Sequence, residues 1–256
     1  MTGPVDVGHA IFALHDPYPG HGRAFNAWYE RDHMYLGGVL APWTIGGVRW
    51  VATARLKSMR FPADGSFGPA AAGSYLASYW IQAGRLADQQ SWVMATLASG
   101  VGASFSDKSV QTATTYDRVG DWQRDPDGVP PFLALAHGYR GLGWLMLERA
   151  PHASVEALAD WLFRDYAQRR WAKSAVALAI GFAPRPKEPW WPQSAPEVAG
   201  VGERLAVACF LETDPAACWD ELFVPLAAEI APQGRVLFAA PFLPTVPGTH
   251  RYTDEL

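Results

Sequence analysis

The chain repeats itself. WYERDHM, Trp28–Met34, returns 133 residues later as WLFRDYA, Trp161–Ala167, with Trp, Arg and Asp at the same places. HAIFALHD, His9–Asp16, and LGWLMLER, Leu142–Arg149, stand at that same separation. Both read as short, mostly buried strands. A chain of 256 residues that carries one pattern twice is constrained to two similar halves.

Each half has the same predicted order. In the first, the strand at His9–Asp16 ends in the turn PYPG, and a helix is expected over residues 22–40. Phe25, Trp28, Asp32, Tyr35 and Val39 share one of its faces, and Gly37-Gly38 and Pro42 end it. Strands follow at 43–56 and 74–83, then a helix over 85–101 and a strand near 112–119. The stretch 121–131 reads as a connection. The second half places a strand at 142–149, a helix from the N-cap Ser154, strands at 176–183 and 203–213, a helix from the N-cap Asp214, and a last strand at 235–243. Each half is thus β-α-β-β-α-β. Two helices cover one face of such a sheet and leave the other bare, so the halves must bury that face together. The expectation is an α+β fold of two tandem ferredoxin-like repeats, residues 1–125 and 126–256, forming an α/β barrel.

The balance of 49% hydrophobic and 18% charged residues suits a globular chain. Net charge is −4 with no basic run, which argues against nucleic acid as a partner. No apolar run reaches the roughly 18 residues of a membrane span, and the N-terminus lacks a basic signal region, so a cytoplasmic protein is expected. Two cysteines, Cys209 and Cys218, make neither a disulfide framework nor a CxxC metal site. Twelve Trp, twelve Phe and nine Tyr must line a core, an interface or a greasy pocket.

Three features together resemble a known superfamily. The helix FNAWYERDHMYLGGVLA is similar to the "aromatic, Trp, acidic-His" helix of the dimeric α/β barrels, and more loosely of their EthD-like branch. The next strand, GGVRWVATARL, is similar to their "Gly-hydrophobic-Arg-aromatic" strand, and the Pro-Gly turn precedes the helix as theirs does. The resemblance implies a cleft between sheet and helices that takes small cyclic or aromatic molecules. The reactions it implies include lactone isomerisation, cyclisation, dehydration, decarboxylation and cofactor-free oxygenation, with haem in some tandem relatives.

The histidine carried over from that motif is His33. Imidazole moves protons in both directions near neutrality, and Tyr29 lies one turn before it. The alternative is a helix histidine bonded to a backbone carbonyl. The second half has Leu162 and Tyr166 instead, so it is expected to be a degenerate repeat. His9, Ile11, Ala13 and His15 point to one side of their strand. If that side is the cleft, His15 joins His33; if it is the barrel side, it is a core residue. Arg49 suits a carboxylate or enolate oxygen, or else a surface ion pair. Trp50, Tyr79 and Trp92 are expected as substrate-binding walls, and PWW at 189–191 as a lid or interface. The Arg-Asp pair, present in both halves, reads as structural. No metal ligand pattern, GxGxxG, Walker lysine or GxSxG motif occurs, and no cofactor is expected.

The expected function is therefore a cofactor-independent lyase, isomerase or cyclase acting by proton transfer on a hydrophobic cyclic or aromatic molecule. His33 would be general acid/base and Tyr29 would orient the substrate. The alternatives are a non-catalytic small-molecule-binding protein and a cofactor-free monooxygenase. The duplicated arrangement also allows a homodimer.

Overall fold

The computed structural model describes residues 4–99, 105–188 and 197–256. Eight strands hydrogen-bond into one closed antiparallel barrel: β1 (Val7–Pro17), β2 (Thr44–Val51), β3 (Tyr75–Gln82), β4 (Lys108–Gln123), β5 (Gly141–Arg149), β6 (Val176–Pro184), β7 (Arg204–Leu211) and β8 (Gly234–Pro244). Around the barrel they run β1-β3-β2-β8-β5-β7-β6-β4. Each half contributes four neighbouring strands in the same internal order, with its own two pairing as first beside third.

The two seams between halves are unequal. β4 and β6 pair from Tyr116↔Pro184 to Gln123↔Leu178. β2 and β8 pair only at Trp50↔Pro244 and Val51↔Leu243. β2 before Trp50 is therefore open on that side, and residues 135–139 and 244–250 lie across the gap.

Strand alternation sorts the side chains into two layers. Ala10, Phe12 and Leu14 of β1 point into the barrel, which is filled by aromatic rings from both halves. Phe12 meets Trp80 and Tyr116 of its own half, and Trp144 and Phe182 of the other, with centroids 5.4–5.8 Å apart. The outer face of the first half packs Ala13, Val51, Tyr75, Ala77 and Tyr79 under Phe25, Tyr29 and Met34 of the first helix.

That helix, α1, is α-helical over Gly22–Trp28 and π-helical over Tyr29–Val39. Leu40 N–H accordingly reaches back five residues, to Tyr35 O at 3.0 Å. The corresponding helix of the second half, α-helical over Val155–Trp161, also turns π-helical, at Leu162–Tyr166, 133 residues after Tyr29. Regular α-helix, which apolar spacing predicts, is replaced where bulky aromatics must be laid against the sheet; such wide turns concentrate at functional sites. The close approach of α1 depends on glycine: a Cβ on Gly38 would lie 2.6 Å from the Tyr79 ring.

Some predicted bounds shift. β2 stops at Val51 and a short helix, α2 (Ala54–Lys57), takes up the rest, capped by Thr53. The weak strand near 112–119 is the longest in the barrel, and residues 121–123, expected in a connection, still belong to it. The second-half helix from Asp214 breaks into short turns at Trp219–Leu222 and Leu226–Glu229. Pro225 between them has no N–H to continue the ladder. The 189–191 PWW segment lies outside the described residues. No described helix is long and apolar enough to cross a membrane.

Candidate functional site

His9, Ile11, Ala13 and His15 face the helices and not the barrel interior, because Ala10, Phe12 and Leu14 take the inside. His15 therefore stands beside α1. Its ring lies 5.4 Å from Tyr29 and 6.0 Å from Phe25, and it is 5% exposed. Neither ring nitrogen has a hydrogen-bond partner among the described residues. Burial, with the nearby charges of His33, Lys108 and Arg49, lowers its pKa to about 3. It is a neutral imidazole at cellular pH.

Arg49 comes up from β2 into the same layer and is 3% exposed, so it is not a surface ion pair. Its guanidinium carbon lies 4.6 Å from the Tyr29 and Tyr75 ring centroids. Nη1 donates to Asn26 Oδ1 at 2.7 Å and to Glu30 Oε1 at 3.3 Å. Nε and Nη2 have no hydrogen-bond partner among the described residues. An arginine keeps its charge even here, although burial pulls its pKa down against the pull of Tyr29 and Glu30.

Tyr29 and Tyr79 are buried with hydroxyls 3.5 Å apart, and burial raises both pKa values. Tyr75 is pushed up to about 12 by burial, and its hydroxyl is unpaired. At neutral pH the cluster holds one arginine cation among protonated phenols and a neutral imidazole. Donors predominate, so an oxygen atom with negative charge is the group this cluster can stabilise.

His33 is half-buried and stacks on Trp28, 4.7 Å between centroids, with Tyr29 edge-on at 4.9 Å. Burial first, then Lys108 and Arg49, lower its pKa to about 4. The pattern Tyr29, His33, His15, Arg49 and Tyr79 is thus brought together.

Trp50 is not in it. Adjacent strand residues face opposite ways, so with Arg49 outside, Trp50 lies in the barrel core, 6.0 Å from Phe210. Trp92 lies half-buried on α3 (Leu86–Ala98), with no ring contact to the cluster among the described residues. Sequence reasoning misses Asn26, and it reads Phe25 only as a helix-face residue and Tyr75 only as one of several aromatics shared between core and pocket wall. Asp32 pairs with its neighbour Arg31 at 2.7 Å, whereas Asp165 pairs with Arg169 at 2.8 Å, both exposed.

Arg49 also lines a cavity of about 710 Å³ at the open seam. Met34, Val48, Leu135, Tyr139 and Pro244 form apolar walls; Asn26 and Glu30 flank Arg49. This is the size and chemistry of a small-molecule site. The second half has no counterpart among the described residues. Tyr166 and Leu162 are fully buried, and Trp171, Trp219 and Phe223 fill the space. A Cβ on Gly181 would lie 2.9 Å from Phe163.

The cluster is not set up to hold a metal. His15 has no carboxylate behind either nitrogen, and His33 is stacked. Among the described residues no three or more His, Cys, Asp or Glu side chains gather to hold an ion.

No family model matches the chain, and no curated protein matches it. Solved structures do. An anthrone oxidase-like protein, 8% identical, covers 96% of this chain and 95% of its own, with a TM-score of 0.54. A protein assigned as a chlorite dismutase, 11% identical, covers 98% and 100% at 0.53. One assigned as a dyp-type peroxidase from Shewanella oneidensis, 8% identical, covers 99% and 96% at 0.52. None of the three is named as a lyase, isomerase or cyclase. The expected cofactor-independent proton-transfer lyase or isomerase is corrected accordingly. The geometry supplies a physical reason. A histidine held near pKa 4 carries no proton at pH 7 and is a weak base, so His33 is poorly matched to general acid/base work. In architecture, an eight-stranded closed antiparallel barrel with helices outside it, the chain is similar to all three neighbours over nearly its whole length.

Proposed function

We propose that the protein is an oxidoreductase that oxidises an enolisable aromatic small molecule held against Arg49 in the seam cavity. The observation that carries this is the buried cation of Arg49 behind the wall of a 710 Å³, largely apolar cavity. The enolate or phenolate oxygen of such a substrate would lie in the field of that cation. Stabilising that anion makes the ring electron-rich, which is the form most readily oxidised. The names of the structural neighbours, an oxidase-like protein, a peroxidase and a dismutase, support an oxidative reaction.

With dioxygen as oxidant, an activated ring methylene becomes a carbonyl: R₂CH₂ + O₂ gives R₂C=O + H₂O. Arg49 holds the substrate oxygen, and Asn26 and Glu30 hold Arg49. Tyr29, kept protonated by burial, lies with its ring under the Arg49 guanidinium, and its hydroxyl faces that of Tyr79. The aromatic layer excludes water. In this reading residues 1–125 form the working repeat and 126–256 the degenerate one, two tandem ferredoxin-like copies. The WYERDH helix supports a place near the EthD-like branch.

The test is an oxygen electrode with a panel of hydroxylated polycyclic ketones. Substrate-dependent uptake of one O₂ per carbonyl formed is expected. Tight binding of the same compounds without uptake would replace this reading with a binding protein.

A further inference from the structure

At the other end of β1 from His15, His9 is held by a chain of ion pairs. Its Nδ1 lies 2.6 Å from Asp117 Oδ1, directly across on β4. Arg185 Nη1 donates to both Asp117 oxygens, at 2.9 and 2.8 Å, and its Nε and Nη2 donate to Glu188 Oε1 at 3.3 and 3.2 Å. Burial works against the Asp117 charge, but the bonds from His9 and Arg185 hold its pKa below the ordinary value. An ionised carboxylate only accepts, so Nδ1 carries the proton. In the neutral ring Nε2 is then an acceptor, and it has no hydrogen-bond partner among the described residues.

His9, Arg185 and Glu188 line a cavity of about 610 Å³ beside α3. Leu86, Ala87 and Met94 of that helix supply an apolar wall, and Gln90 and Ser91 stand on the same helix face. Gln90 turns its amide nitrogen to Thr115 Oγ1, at 3.4 Å, which leaves Oε1 to accept. All three guanidinium nitrogens of Arg185 face carboxylates, so among the described residues of this wall no cation is left for an anionic ligand. Lys187, next along the chain, lies 3.9 Å from Glu197. With His9 neutral, two carboxylates against one guanidinium leave the wall negative. Acceptors with an excess of negative charge take a donor that is positive. The donor-rich Arg49 layer has the reverse preference, and no described residue lines both cavities. A metal ion is the wrong cation, because no three His, Cys, Asp or Glu side chains gather to hold one among the described residues. A primary ammonium brings three N–H donors, and an apolar body on it would meet the α3 wall.

We infer that the His9 cavity binds an organic cation, a primary amine with an apolar body, whose N–H groups are accepted by His9 Nε2, the Glu188 carboxylate and Gln90 Oε1. Asp117 is a positioning residue: it fixes the His9 tautomer that accepts. Arg185 holds both carboxylates in place. This goes beyond oxidation at Arg49 and does not rest on it, since it concerns a second cavity with the opposite charge preference.

The test is isothermal titration calorimetry of the purified full-length protein at neutral pH with phenethylamine, phenethyl alcohol and phenylacetate, which share a ring and differ in charge. Saturable one-to-one binding is expected for the amine, about tenfold or more tighter than for the alcohol, and none for the carboxylate. Glu188→Gln and His9→Phe should each weaken the amine by about tenfold or more. His250→Ala, at the seam cavity, should titrate like wild type, and far-UV circular dichroism checks that each variant is folded. Absence of saturable amine binding by wild type, alcohol binding as tight as amine binding, or amine binding unchanged in either Glu188→Gln or His9→Phe overturns the proposal. Loss of amine binding in His250→Ala would move the amine to the seam and overturn it as well. Each of these results leaves oxidation at Arg49 to be decided by oxygen uptake.

Discussion

Phe12→Ala tests whether the barrel interior joins the two halves. Phe12 is 0% exposed and sits among four aromatic rings, two from each half. Truncating a buried Phe costs about 3–5 kcal/mol, from lost transfer energy and the cavity left behind. Aromatic pairs are each worth about 0.5–1.5 kcal/mol beyond burial, and four share this ring, which places Phe12 near the top of that range. Domains of this length lose about 2–4 °C per kcal/mol, so Tm should fall by about 8–20 °C. Guanidinium unfolding followed by near-ultraviolet circular dichroism and tryptophan fluorescence checks it. Both signals should move together, because Trp144 and Phe182 belong to the second half and Trp80 to the first. A loss under about 1.5 kcal/mol, or early melting confined to one signal, would refute the shared core.

Three further outcomes are expected. Gly38→Ala should destabilise by about 1–3 kcal/mol through overpacking against Tyr79, measurable as a lower denaturation midpoint; an unchanged midpoint would mean that α1 is free to lift. Arg60 is buried and its guanidinium holds the carbonyls of Ala70, Ala72 and Gly73, so Arg60→Met should cost about 3 kcal/mol and speed proteolysis of the 61–73 loop. Stability should also fall on mild acidification. The folded pKa values of His15, about 3, and His33, about 4, lie below the unfolded value of 6.5, so between these limits the unfolded chain binds more protons. Each contributes up to about 1.4 kcal/mol per pH unit, gained as pH rises towards 6.5 and lost as it falls. His15→Phe with His33→Phe should flatten the profile between pH 6.5 and 5, and a wild-type profile already flat there would contradict the burial argument.

How much was legible in the sequence follows from the range of the interactions involved. Alternation along β1 put His9, Ile11, Ala13 and His15 on one side, but which side faces the helices depends on how the sheet closes. That is decided by β4–β6 and β2–β8 pairing across the halves, which no local pattern encodes. The same alternation, applied to β2, would have put Arg49 and Trp50 on opposite faces of the sheet. The wide turns of α1 went unread, because the apolar positions were fitted to the α-helical period alone. At the places of Tyr29 and His33 the second half has Leu162 and Tyr166, and in the structure both are buried in the core.

The most direct measurement compares wild type with Arg49→Met in oxygen uptake and carbonyl formation on the same aromatic ketone. Met fills much of the space but has no charge to stabilise an anionic oxygen. Loss of one such group costs about 10²–10³ in rate, so kcat/KM should fall by that order while the variant stays folded. Turnover within a few-fold of wild type would contradict the account.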